Sequence, residues 1–220
     1  MDEFEPNTRR VVVTSRGVRP TLLHPNRWIV APGANPFLFA RNANIGILSA
    51  GEDDVVLMND DVRLITKHSL RELERVAYLR SSIGIVSPQV VGVVGNPLQD
   101  ARSYCEDASI SEERLCFVCV YIKREVIRKV GSLDERFNGY GGDDDDYSLR
   151  TQLLGYDLVV TKSCMVCHGF GSERSSSSFA RTLGTTKESM TEMNAALDAK
   201  WHDGVSPMRY AKTLAYRTRV

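Results

Sequence analysis

A chain of 220 residues with 42% hydrophobic and 25% charged residues can bury a core of its own, which excludes disordered and fibrous classes. Its 28 basic residues balance 28 acidic ones, so it lacks the signature of a protein that grips nucleic acid along its whole surface. No apolar stretch reaches the roughly 20 residues of a membrane span, and MDEFEPNTRR has no signal-peptide core, so a cytoplasmic protein is expected.

In chain order, Val11 to Val13 predicts a short buried strand running into the loop Thr14-Ser15-Arg16-Gly17, and Arg27 to Val30 a second strand. Helical spacing marks Phe37 to Leu48, with Asn35 as N-cap and Pro36 at the first helical position. Asp54 to Met58 is the next strand, and Asn59-Asp60-Asp61 sits at its carboxyl end. An amphipathic helix over Thr66 to Arg80 leads to strands at Ile83 to Val86 and Val90 to Val94. Pro97 to Glu113 is polar and predicts a loop. The apolar run Leu115 to Ile122 predicts a strand, followed by a helix over Lys123 to Val130 that Gly131 ends. Gly139-Tyr140-Gly141-Gly142 then leads to Asp143-Asp144-Asp145-Asp146, opening a helix to Leu154, and Asp157 to Thr161 is a further strand.

The Gly/Ser-rich stretch 170–186 predicts a mobile loop, and 187–220 a closing helix from Lys187 to Trp201 with a basic tail. Alternating strands and helices of these lengths predict one α/β domain over 1–220, with a mixed, mainly parallel sheet flanked by helices. Ligands of such sheets bind at the carboxyl ends of the strands.

A run of four aspartates is by default a solvated acidic loop or a helix N-terminus. Here the run follows glycines that let the backbone approach a ligand, and a second acidic cluster ends a buried strand upstream. Two acidic loops converging at one sheet edge suit a hard cation, Mg²⁺ or Mn²⁺, bound with a diphosphate.

These segments resemble the family 2 glycosyltransferases of the GT-A, Rossmann-like nucleotide-diphospho-sugar transferase fold. The carrying residues are Ala40 to Ile47, Val55 to Val62, Lys123 to Val126 and Val130 to Phe137, then Val166 to Gly169, Asn194 and Lys200-Trp201. Gly139 to Arg150 (GYGGDDDDYSLR) is similar to the Gly-Trp-Gly-Gly-Glu-Asp-Asp-Asp segment of β-1,4-galactosyltransferases. The resemblance implies an inverting transfer from a nucleotide-sugar donor to an acceptor hydroxyl. It makes Asp61 a metal ligand, with His168 completing the shell, Asn59 at the first motif position and Asp60 against the ribose. Asp144 takes the place of the general base, with Asp145 as the alternative one residue on. Thr14, Ser15 and Arg16, at the end of the first strand, are candidates for nucleoside contacts and Arg41 and Asn44 for the donor, with Arg41 equally open to being a solvated helix residue. Arg174 and Arg181 are open to two readings, diphosphate contact or solvated loop.

Relatives usually build the nucleoside pocket from a strand, a helix and a second strand, whereas this chain reaches its metal motif by residue 59, a shortened version of that start. With Asn59, this motivates an alternative: a catalytically silent GT-A domain that binds sugar or protein. The acceptor stays open among glycan, lipid carrier, protein and modified nucleobase.

Cys116-x-x-Cys119 and Cys164-x-x-Cys167-His168 have zinc-site spacing, and the second also matches haem attachment. Residues three apart on a strand face opposite ways, and haem attachment requires export, so buried free thiols are expected.

Overall fold

The computed structural model describes residues 8–14, 28–35, 37–92, 94–137, 141–169 and 187–201. Two parallel strands, β1 (Arg10–Thr14) and β2 (Trp28–Pro32), form a small sheet of their own. Helix α1 (Phe39–Ser49) contacts both strands and β3 (Val55–Met58). The helix starts later than expected, with extended Leu38 as N-cap in place of Asn35; Pro36 lies outside the described residues. Asn42, buried on α1, accepts the Ala34 amide at 2.7 Å, so the preceding chain lies across the helix instead of entering it.

The main sheet has the order β3-β7-β5-β8-β4, with β6 also on β8. Its further strands are β4 (Val62–Leu64), β5 (Ile83–Val91), β6 (Ser109–Ser111), β7 (Cys119–Ile122) and β8 (Asp157–His168). The sheet is mixed as expected, but its parallel share is smaller. Within it β5 and β8 run parallel, while β3–β7, β5–β7, β4–β8 and β6–β8 are antiparallel. Both faces are covered, which is why the strands are apolar throughout. Ile85, Val120, Ile122, Leu158 and Val160 join one core with α1 and with helices α3 (Arg124–Val130) and α4 (Asp143–Leu153). Their neighbours Val86, Cys119, Tyr121 and Val159 join another beneath α2 (Ser69–Ala77), whose Leu73, Val76 and Ala77 are wholly buried.

Three strand expectations change. Ile83 to Val91 is one strand, because Pro88, which has no amide to donate, falls at a register shift where Lys162 to Cys164 bulge out of β8. The polar stretch after Pro97 holds a 3₁₀ turn (Pro97–Gln99) and β6, which covers part of the outer edge of β8. Of Leu115 to Ile122 only the second half pairs as a strand.

The closing helix α5 (Lys187–Trp201) has the predicted span. It docks on α4 through Asp146, whose wholly buried carboxylate takes Arg150 Nε at 2.9 Å, Lys200 Nζ at 2.6 Å and Trp201 Nε1 at 2.8 Å. Lys200 also reaches Asp134 at 2.6 Å. Removing one partner of a buried ion cluster strands the others, so Asp146→Ala is expected to cost about 3–5 kcal/mol, read as a lowered denaturant midpoint. Asp146→Asn, which keeps the acceptor for Trp201, should lose less.

Candidate active site

Strands β3, β5 and β8 run in one direction, with reversed β7 between the first two, so Met58, Val91 and His168 end on the same sheet edge. The larger antiparallel share thus leaves these three carboxyl ends together. Asn59-Asp60-Asp61 follow β3 and turn at once into β4, Val62 N donating to the Asn59 carbonyl at 3.2 Å. Because β4 pairs with the end of β8 and Val62 stands opposite His168, Asp61 meets the histidine. The Gly169 amide donates to the Asp61 carbonyl at 3.0 Å, and Asp61 Oδ1 lies 3.4 Å from His168 Nε2. On the other side of β8 the chain after β5 passes close to the His168 backbone at Gly92: at φ +119 an added Cβ would stand 2.4 Å from the His168 carbonyl oxygen.

A carboxylate oxygen and an imidazole nitrogen side by side are donors suited to a divalent cation, with the remaining positions left to phosphate oxygens and water. Among the described residues no group of three or more His, Cys, Asp or Glu side chains is placed to hold a metal ion. A cation bound at Asp61 and His168 would thus need its other donors from a ligand. Asp60 is exposed.

The aspartate run forms the first turn of α4, entered through Gly141 and Gly142 at φ +91 and +85. Asp143 is 5% exposed, and burial beside Asp144 pushes its carboxyl up to about 8. Asp144 accepts the Phe117 amide at 3.3 Å and the Asp145 amide at 2.9 Å; burial still pushes it upward. Burial and Asp144 raise Asp145 to about 7, opposed by Arg114, whose Nη1 is 3.0 Å from Asp145 Oδ2. The run thus divides: Asp146 is structural, and Asp143 to Asp145 hold protons more tightly than ordinary carboxyls.

Stability records this. A folded-state value above the unfolded one means Asp143's contribution is full below about pH 4 and is lost as pH rises to about 8, by up to about 1.4 kcal/mol per pH unit. Asp143→Asn removes that loss. The melting temperature of the variant should exceed that of the wild type by a margin that grows from pH 5 to pH 8.

Between the two acidic clusters runs Arg114 to Val118. The Arg114 carbonyl accepts from Asn96 Nδ2 at 2.8 Å, the Leu115 amide donates to Ser148 Oγ at 3.2 Å, and Gln99 binds the amide and carbonyl of Cys116 at 2.8 and 3.0 Å. The Phe117 amide goes to Asp144, and the Val118 carbonyl accepts the Asn59 amide at 3.0 Å. Consecutive residues therefore hold both the aspartate-bearing start of α4 and the Asn59-Asp60-Asp61 turn.

No protein-family model matches the sequence, and no curated protein matches it. Solved structures do. GalNAc-T7 with UDP, GalNAc and Mn²⁺ superposes at a TM-score of 0.53 over 77% of the chain, at 14% identity. The mannosyltransferase PcManGT from Pyrobaculum calidifontis, in complex with GDP-Man and Mn²⁺, gives 0.54 over 86%, also at 14% identity. The fold is GT-A. The chain spans 38% and 52% of the lengths of those two proteins.

Within the GT-A frame the expected residues fall into four groups. Asp61, His168 and Asn59 meet at the strand ends, and the bridging segment links them to Asp144 and Asp145. Thr14 ends β1, its carbonyl accepting the Gly33 amide at 2.6 Å. Arg41 and Asn44, expected at the donor, instead tie α1 to the chain before α4: Arg41 Nε binds Glu135 at 2.8 Å, and Asn44 exchanges hydrogen bonds with the Leu133 backbone. Ser15, Arg16, Arg174 and Arg181 lie outside the described residues. A cavity of about 300 Å³ opens beside α4, but Ser132, Leu133, Asp134, Glu135, Arg150 and Lys200 line it, and its charged groups are already paired.

Sequence reasoning missed Arg114, Asn96, Gln99 and Ser148. The first three sit in or beside a stretch that reads as a polar loop, and burial of Gln99 and Ser148 is invisible before the chain is folded. The five cysteines are free thiols, as expected. Cys119 lies in the core beneath α2 and Cys116 packs against that same core near Asp144, and among the described residues no three metal-ligating side chains gather there.

Proposed function

We propose that this chain is a metal-dependent glycosyltransferase of the family 2 type, transferring a sugar from a nucleotide-sugar donor to an acceptor hydroxyl with inversion. The observation that carries this is the bridge of Phe117 and Val118 between Asp144 and Asn59, which puts a proton-accepting carboxylate and an Asp–His pair in one structural unit. GalNAc-T7 in complex with UDP, GalNAc and Mn²⁺, and PcManGT in complex with GDP-Man and Mn²⁺, share this fold, and their bound groups favour a nucleotide-sugar donor and a divalent cation in the reading.

Asp61 and His168 would hold Mn²⁺ or Mg²⁺, with Asn59 two residues before Asp61 as the further candidate. The cation would neutralise charge developing on the departing nucleoside diphosphate. Asp144 takes the acceptor proton as the hydroxyl oxygen attacks the anomeric carbon, and its fixed hydrogen bonds from Phe117 and Asp145 hold it in line. Thr14 at the end of β1 is placed for the nucleoside. Glycan, lipid carrier, protein and modified nucleobase are the acceptor classes to be tested.

A screen of nucleotide sugars with Mn²⁺, followed by mass spectrometry and by NMR of the product's anomeric configuration, tests the reading. Release of a nucleoside diphosphate with an inverted product supports it. No release from any donor, together with no metal-dependent nucleotide binding by calorimetry, would leave a silent binding domain.

A further inference from the structure

Arg114 belongs to none of the expected motifs, yet it stands at the centre of the carboxylate cluster. Its Nη1 is 3.0 Å from Asp145 Oδ2, with its side chain 35% exposed and that of Asp145 18%. Its backbone is held independently, through the carbonyl bond from Asn96, whose side chain also binds Ser111 and the Leu98 amide. The next amides along the segment are occupied by Ser148, Gln99 and Asp144. So the guanidinium is delivered to Asp145 from a rigid support, and the neighbouring Asp144, which feels the same charge, accepts its hydrogen bonds from the Phe117 and Asp145 amides. The charged and titratable groups facing the two carboxylates are Asp143 and Asp146 on α4, with Arg114 and the Cys116 thiol on the bridging segment. Arg114 is the cation among them.

We propose that Arg114 is a positioning residue of the site: by pairing with Asp145 it commits that carboxylate to an ion pair and leaves Asp144 as the one that takes the acceptor's proton. This rests on the glycosyltransferase reading above. Four acidic side chains on one helical turn cannot all ionise in a half-buried site, and a single fixed cation decides how the charge is shared. Arg suits the task because its guanidinium stays charged and its planar fork fixes direction.

The test pairs two readouts on Arg114→Gln and Arg114→Lys, both of which keep the backbone anchor at Asn96. Carboxyl ¹³C NMR of aspartate-labelled protein follows the titration of Asp144 and Asp145. Release of nucleoside diphosphate from GDP-mannose and UDP-sugars with Mn²⁺ is measured from pH 5 to 10. Losing a cation at this range is expected to move both titrations alkaline by about one unit or more in Arg114→Gln. The acid limb of the release profile should move with them, lowering the rate at pH 7 about tenfold relative to the rate at pH 9. Arg114→Lys should shift less. Unmoved carboxyl titrations in Arg114→Gln overturn the proposal, and so does a release profile that falls equally at every pH. Wild-type protein that releases no diphosphate at any pH overturns the transferase reading instead, and the carboxyl titration alone then decides Arg114's hold on the aspartate run.

Discussion

Asp144→Asn is expected to lower sugar transfer by about 10²–10⁴-fold, or about 3–5 kcal/mol of barrier, while leaving metal-dependent nucleotide binding within twofold of wild type. The amide is nearly isosteric, and its oxygen can still accept the Phe117 amide that holds the position now. What it cannot do is take a proton. Single-turnover rates and calorimetric Kd values for the nucleotide with Mn²⁺ separate the two quantities. In the wild type, burial holds the Asp144 carboxyl above the ordinary range, so a base that works deprotonated gains activity as pH rises out of that range. Full activity in Asp144→Asn would move the role to Asp145, whose substitution then becomes the decisive one.

The other large effect belongs to the metal pair. On the proposed reading, Asp61→Asn and His168→Ala each remove one member of the pair that holds the cation, and among the described residues no third His, Cys, Asp or Glu side chain is placed to replace it. Even residues that merely support a metal ligand cost about 10–100-fold in affinity, so loss of a direct ligand is expected to cost at least about 100-fold. Manganese titration in the presence of GDP or UDP reads this directly. An unchanged manganese affinity in both Asp61→Asn and His168→Ala would remove the metal from this edge.

How much of this was legible beforehand differs from residue to residue. The strand ending at Met58 and the helix closing at Trp201 are local facts, set by apolar runs and their polar stops, and both emerge nearly where the residue pattern puts them. The pairing of Asp61 with His168 is not local. It depends on three-residue β4 lying against the last residues of β8, over a hundred positions away. Only the family resemblance anticipated it. Asp146 shows the opposite case: it looks like a fourth site aspartate, but its carboxylate is buried against Arg150, Lys200 and Trp201.

The sequence by itself determined the alternation of strands and helices, the apolar strands covered on both faces, and the presence of two separate acidic clusters, because these follow from periodicity and local residue chemistry. Tertiary structure alone decided the direction of β7, the role of each aspartate and the entry of Arg114. Those depend on which groups distant parts of the chain bring within hydrogen-bonding range, and on how much water burial removes from each carboxylate. A run of four identical side chains carries no internal mark of which one anchors a helix, which is paired and which accepts backbone amides; their neighbours in space make that difference.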